Sequence, residues 1–162
     1  MTETSAATDL DRYERRILAV LQADARLSTQ QVAERVGLST SACWRRIRRL
    51  EKDGVILRYA AILDPAKAGI GECVFVHISL SRHSRELTRQ FASLMQERQE
   101  VLECFFMTGD ADVLLRVAVP SVAAYDAFVE NVLFGAPGVQ RVQSHFALRQ
   151  IKCDTALPID TR

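Results

Sequence analysis

Arg45, Arg46, Arg48, Arg49 and Lys52 crowd five cations into Thr40–Lys52, against the single acid Glu51. A guanidinium presents a planar fork of donors that matches either the O6/N7 edge of guanine or a phosphate. At 100° per residue, Ser41, Arg45, Arg48 and Lys52 fall on one side of a helix, and Cys43, Ile47 and Leu50 fall nearly opposite. Such a helix fits the major groove of DNA if other elements support its apolar back. Arg45 and Arg48 lie one turn apart on the outward face, so either can reach a guanine or a phosphate. Arg49 and Lys52 lie towards the flank and the helix end, where backbone contact is expected. Ser39, Thr40 and Ser41 place hydroxyls and free N–H groups at the positive end of the helix dipole, which suits a phosphate. Ser28, at the start of the preceding helix, is counted with them. Seen alone, a charge run is normally a solvated face. Here its capped helix, its preceding turn and its following apolar segment support DNA contact.

Other chemistry is sparse. Cys43, Cys73, Cys104 and Cys153 are separated by about 30 to 50 residues, which matches no zinc or redox pattern. Cys43 sits in the apolar stripe and reads as core. His77, His83 and His145 are dispersed, so neither a metal site nor a catalytic role is expected of them. No nucleophile–base pair or phosphate loop can be assembled, which argues against an enzyme. Gly109-Asp110-Ala111-Asp112 reads, from spacing alone, as a hairpin turn with solvated carboxylates.

The elements that would position these residues follow from capping and periodicity. Residues 1–8 are small and polar and are expected to be disordered. Asp9 or Asp11 caps a helix to about Ala23, with Tyr13, Ile17, Val20 and Leu21 as its stripe. Ser28 caps Thr29–Val36, which Gly37 ends; Leu38 is the turn residue, Ser39 caps the basic helix, and Gly54 closes it. Two helices joined at a glycine, the second basic, form a helix-turn-helix. Val55–Leu63 reads as a strand and hence a wing, with Trp44 packed beneath it.

Beyond the linker 64–71 the pattern changes. Cys73–Leu80 is a strand, Ser84–Gln99 a helix with Leu87, Phe91, Leu94 and Met95 inward, and Val101–Thr108 and Asp112–Val119 a hairpin. Ser121 caps a helix to about Phe134, with Val122, Tyr125, Phe128, Val129 and Leu133 inward. Val139–Lys152 is a final strand. This order is the split βαβ, or ferredoxin-like, sandwich. The fold class is therefore α+β: a winged helix-turn-helix at 9–63, then a ferredoxin-like βαββαβ domain at 72–162. Val113, Leu115 and Val117 lie on one sheet face and Leu114 and Ala118 on the other, so a second copy is expected to cover the face without helices.

Composition sets the remaining bounds. An apolar share of 48% with 25% charged residues suits a globular protein, and no run is long enough to span a bilayer, so the cytoplasm is the expected place and no membrane partner is expected. Net charge is only +1, yet Thr40–Lys52 carries five bases against one acid. A basic helix on a near-neutral chain implies a directed contact rather than general attraction to polyanions.

Asp9-Leu10-Asp11 with Ile17-Leu18, Val36-Gly37-Leu38-Ser39, Arg46-Ile47 with Leu50-Glu51 and Gly54-Val55-Ile56, Gly109-Asp110-x-Asp112, and Pro137-Gly138-Val139 together resemble the Lrp/AsnC family. These are the leucine- and asparagine-responsive, or feast/famine, transcriptional regulators. The resemblance spans about residues 9 to 162. It implies a sequence-specific DNA-binding regulator, not an enzyme, whose C-terminal domain senses an amino acid and modulates transcription of amino-acid metabolism genes. It also implies homodimers that often assemble into octamers, an amino-acid effector near the Gly-Asp-x-Asp turn, and no other cofactor.

On that resemblance Gly109 lets backbone approach a ligand, and Asp110 or Asp112 accepts its α-ammonium. Phe106 and Phe146, expected on neighbouring strands, are either walls of that site or dimer core, with Ser144 beside them. Cys43-Trp44, Phe146-Ala147, Gln150-Ile151-Lys152 and Leu157-Pro158-Ile159 look most like the branch that includes cysteine-responsive detoxification regulators. Many members carry Thr-Pro where this chain has Ser41-Ala42, and Glu where it has Arg45, so another member's base preference does not transfer. The rival reading is a ligand-binding or interaction module without specific DNA binding.

Overall fold

A computed structural model describes residues 9–81 and 85–161. The expectations for residues 1–8, for His83 and for Ser84 as a helix start lie outside the described residues. The chain divides into two compact units, Met1–Ala61 with Lys152–Arg162, and Ile62–Ile151.

The first unit is built on α1 (Arg12–Ala23), α2 (Thr29–Val36) and α3 (Thr40–Lys52). Asp11, rather than Asp9, caps α1: its carboxylate accepts the Glu14 N–H at 2.9 Å, and Glu14 returns the bond from the Asp11 N–H at 3.1 Å. Ser28 and Gln31 form the same reciprocal box at α2. Gly37 ends that helix with φ +75°, a conformation that strains any residue with a Cβ. Ser39 caps α3 by accepting the Ala42 N–H at 3.3 Å. Ile17, Val32, Val36, Cys43 and Leu50 meet as one core, with Leu18 and Ala33 beside them. Tyr13, expected in the stripe, stays partly exposed because its ring takes the Arg46 guanidinium, 5.5 Å from the centroid.

Val55–Leu63 differs from expectation. Val55 and Ile56 donate back to the Leu50 carbonyl, and the segment then runs extended with no ladder partner among the described residues. Leu57 is 88% exposed. Alternating residues make a strand only when a neighbour takes the hydrogen bonds.

The expected second domain, 72–162, also differs at its end, because Lys152–Arg162 cluster with the first unit. Gln22 on α1 explains this: its amide donates to the Leu157 carbonyl at 3.1 Å and accepts the Leu157 N–H at 2.6 Å. Ile159 packs against the helical core.

The second unit runs β1 (Glu72–Leu80), α4 (Arg85–Gln96), β2 (Val101–Phe106), β3 (Val113–Val119), α5 (Val122–Phe128) and β4 (Val139–Phe146). Its sheet has the order β2-β3-β1-β4, antiparallel throughout, which is the split βαβ arrangement. Val74, Val76, Ile78, Val113, Leu115 and Val117 are inaccessible beneath Phe91, Met95, Tyr125 and Phe128. β4 stops at Phe146 rather than at residue 152. α5 passes into a π-helical turn, Val129–Leu133, which buries Val132 with Leu133; Val122, expected inward, is exposed at the first position of α5. The opposite sheet face carries Phe75, Phe105 and Leu114, crossed by an Arg116–Glu103 pair at 2.9 Å.

Ile159→Ala is expected to destabilise the first unit by about 1–2 kcal/mol through lost apolar burial. Native-state hydrogen exchange on α1–α3 checks this; protection in β1–β4 should not change.

Candidate nucleic-acid interface and effector pocket

α3 is presented by its buried back. Cys43 and Leu50 are essentially inaccessible, which leaves Ser39, Thr40, Ser41, Arg45, Arg48, Arg49 and Lys52 exposed, as is Ser28 at the start of α2. Burial pushes the Cys43 thiol up, against a smaller opposing influence of Arg46, so the thiolate is disfavoured and the residue serves as core.

The cations are not equivalent. Arg46 pairs with Asp11 and lies 3.8 Å from Glu14. Arg49 lies 3.3 Å from Glu14 and 3.3 Å from Asp53. Arg48 pairs with Glu51 at 3.1 Å, and its guanidinium sits 5.7 Å over the Trp44 ring. Trp44 is 52% exposed and covered by that arginine, not packed beneath a wing as expected. Glu51 is held from its other side by the Tyr59 hydroxyl, which donates to it at 3.0 Å. Among the described residues, Arg45 and Lys52 have no ion pair. They are therefore the cations of α3 best able to meet DNA without displacing a carboxylate.

Spacing along α3 could show Glu51 and Asp53 but not Asp11 and Glu14, which cap and begin α1, far away in the chain. Glu14 is the one buried charged side chain among the described residues, 1% exposed. A cavity of about 390 Å³ opens beside this network, lined by Asp11, Glu14, Leu38, Ala42, Arg45, Arg46 and Arg49.

In the second unit, a cavity of about 230 Å³ is lined by Leu80, Ser81, Arg85, Thr88, Phe106, Met107 and Asp112. It contains two of the expected effector residues, Phe106 and Asp112. Asp112 also ties the hairpin to β1: its carboxylate accepts the Leu80 N–H at 2.8 Å, and its N–H donates to the Ile78 carbonyl at 3.0 Å. Gly109 and Asp110 are exposed in the adjoining turn and do not line it, although Gly109 has the positive φ of +119° expected of such a turn.

Phe146 is not the neighbour of Phe106: β2 and β4 are opposite edges of the sheet. Phe146 packs edge-on against Tyr125 at 5.2 Å, and the Ser144 hydroxyl bonds the Tyr125 hydroxyl. Those two residues therefore pack α5, and within one chain they cannot share a pocket with Phe106. Ser81, Arg85, Thr88 and Met107 were not anticipated; only the position of Arg85 near a helix start hinted at an anion contact. His77 and His145, dispersed in sequence, face one another across β1 and β4 with ring centroids 5.2 Å apart. Among the described residues no three His, Cys, Asp or Glu side chains group as metal ligands. No described helix is long and apolar enough to cross a membrane.

Residues 10–56 match the model of a winged helix-turn-helix DNA-binding domain, and residues 73–157 match that of the Lrp/AsnC ligand-binding domain. The chain is 43% identical over 151 residues to the DNA-binding transcriptional activator DecR of Escherichia coli, covering 93% of this chain and 99% of that protein. An AsnC-family transcriptional regulator from Agrobacterium tumefaciens superposes with a TM-score of 0.87 at 46% identity, covering 92% of this chain and 97% of the other. A transcriptional regulator from Neisseria meningitidis, solved as a complex with L-methionine, superposes at 0.88 with 38% identity, covering 93% and 97%.

Asp11 supplies a pH test of the α1–α3 contact. Desolvation alone would raise its pKa; the Glu14 N–H and the Arg46 guanidinium outweigh that and hold it below the ordinary 3.8. A lowered carboxylate contributes stability that is fully present above its unfolded pKa and is lost as pH falls through the folded one. Asp11→Asn keeps a competent cap but loses the charge. Thermal melts should show wild type more stable than this variant at pH 7. The gap should shrink below about pH 4, the ordinary carboxylate range. A gap constant down to pH 2 would refute the pairing.

Proposed function

The chain belongs to the Lrp/AsnC family of DNA-binding transcriptional regulators, and we propose how its own residues carry out that role. Two copies, joined through the helix-free sheet face, present their α3 helices to successive major grooves of a pseudo-palindrome, about 10 bp apart. Arg45 reads a base edge, Lys52 and the Ser39–Ser41 helix start meet phosphates, and Ser28 meets the backbone beside them. The observation that carries this reading is the partition of α3: an apolar back in the core, two arginines tied to carboxylates on one flank, and in front Arg45 and Lys52, without an ion pair among the described residues. The protein works in the cytoplasm and needs no cofactor beyond its effector.

The effector is an amino acid with a short sulfur-bearing side chain, held in the cavity beside Asp112. Arg85 offers a cation to the α-carboxylate, Asp112 an acceptor to the α-ammonium, and Phe106 with Met107 an apolar wall, where a sulfur sits favourably. A volume of about 230 Å³ suits one small ligand and falls below that usual for drug-sized molecules. The L-methionine complex of the Neisseria regulator and the resemblance to a cysteine-responsive branch both support this class. Occupancy changes how copies assemble, and hence DNA affinity. Dimers gathering into an octamer is the expected form.

Arg45→Ala is expected to cost about 1–3 kcal/mol of specific binding in gel shifts on DNA upstream of its own gene, and less on random duplex. Equal loss on both would remove its base-reading role. In a thermal-shift screen of the twenty amino acids, cysteine or methionine should stabilise by about 2.7 kcal/mol at a hundredfold excess over Kd. Arg85→Ala should abolish the shift. A shift by leucine alone would overturn the proposed effector class.

A further inference from the structure

Glu14 is 1% exposed, yet its side chain faces α3. One carboxylate oxygen, Oε2, accepts the Asp11 N–H and completes the α1 cap. The other, Oε1, has no hydrogen bond of good geometry and lies 3.3 Å from Arg49 Nη1 and 3.8 Å from Arg46 Nη1. A buried acid is retained against its desolvation cost only where opposite charges compensate it. Those charges come from two residues one turn apart on the recognition helix. Arg46 is further held by Asp11 and by the Tyr13 ring, and Arg49 by Asp53.

We propose that Glu14 is a positioning residue for DNA reading: it draws Arg46 and Arg49 back onto α1, which withholds two cations from the phosphates and sets the rotation at which α3 presents Arg45. The geometry of α3 supports this directly. Ala42, Arg46 and Arg49 form the flank turned towards α1, while Ser41, Arg45 and Lys52 form the front. A helix seated only by Cys43, Ile47 and Leu50 could roll about its axis. Two ion pairs to a fixed carboxylate on one flank oppose that roll. Free, Arg46 and Arg49 would bind phosphate wherever a duplex offered one, which raises non-specific affinity without adding sequence information. The inference rests on α3 being the DNA-reading helix.

The test uses the full chain and Glu14→Gln, in which the amide keeps the α1 cap but not the charge. Two probes are used: a random-sequence duplex and the tightest duplex selected from a random pool by the wild-type protein. Each released arginine that finds a phosphate steepens the plot of log K against log salt by about 0.9, so the variant should gain about 0.9–1.8 per bound protomer on the random duplex. Its preference for the selected duplex should fall by about tenfold or more, within what one or two lost base contacts would do.

A merely structural Glu14 would weaken both duplexes alike at an unchanged salt slope, and that result overturns the proposal. Arg49→Gln covers the case in which Glu14→Gln does not fold. It should leave the wild-type slope unchanged, whereas Lys52→Gln should lower it by about 0.9. A slope lost equally in both variants would place Arg49 on phosphate and overturn the proposal. If Arg45→Ala and Lys52→Gln change neither affinity nor slope, the assignment of α3 fails as well. If only those two act as expected, the role of Glu14 alone fails.

Discussion

The rotation of α3 about its own axis is the constraint on which DNA reading depends. A turn of 100° would exchange Arg45 for a neighbour and put Leu50 in water. A helix of this length is marginal alone, so its form and its setting both come from packing. Cys43 and Leu50 supply that packing against Ile17, Val32 and Val36. Apolar contact is strong but has little direction. The ion pairs of Arg46 and Arg49 with Asp11 and Glu14 add direction on one flank, and the Arg48–Glu51–Tyr59 chain does so on the other. What remains unclamped is the front face, where base edges would lie.

The second unit solves a different problem with the same economy. β1 sits between β3 and β4, so both its edges are paired and its alternate residues can be wholly buried. Helices cover one face; the other mixes Phe75, Phe105 and Leu114 with the Arg116–Glu103 pair, His77 and His145. The hairpin between β2 and β3 is not loose. Asp112 pins it to the end of β1 through both its carboxylate and its N–H. Phe106, Met107 and Arg85 border the cavity beside this anchored turn.

Periodicity made the faces legible. The 3.6-residue period separated Cys43 and Leu50 from Arg45 and Lys52, and the two-residue period separated Val113, Leu115 and Val117 from Leu114. Caps at Ser28, Ser39 and Ser121 and the stop at Gly37 were equally readable, because they depend on residues within one turn. What stayed hidden depends on who sits opposite whom. The partners of Arg46 and Arg49 lie on another helix, and no local pattern marks Glu14 as more than the far half of a capping box. Strand order decided that Phe106 and Phe146 part company, since alternation shows faces and not edges. The π-helical turn after Phe128, which buries Val132 beside Leu133, breaks the 3.6-residue period by which the stripe was read. Leu157 and Ile159, expected within the second domain, belong to the first because Gln22 supplies both halves of an amide pair.

With only Arg45 and Lys52 of the α3 cations lacking an ion pair among the described residues, one unit alone would hold DNA weakly. A helix that kept Arg46, Arg48 and Arg49 engaged by carboxylates on DNA would release few counterions, and its affinity for a single half-site would be correspondingly small. Linking a second reading helix turns the next contact into an intramolecular one, and avidity then rises by orders of magnitude without any new interaction. Occupancy of an operator by such a helix would then depend steeply on how many units are joined and at what spacing. A ligand that alters assembly can thus control DNA binding without touching α3. If α3 keeps these ion pairs on DNA, control through the number of joined units is favoured over a single strong contact.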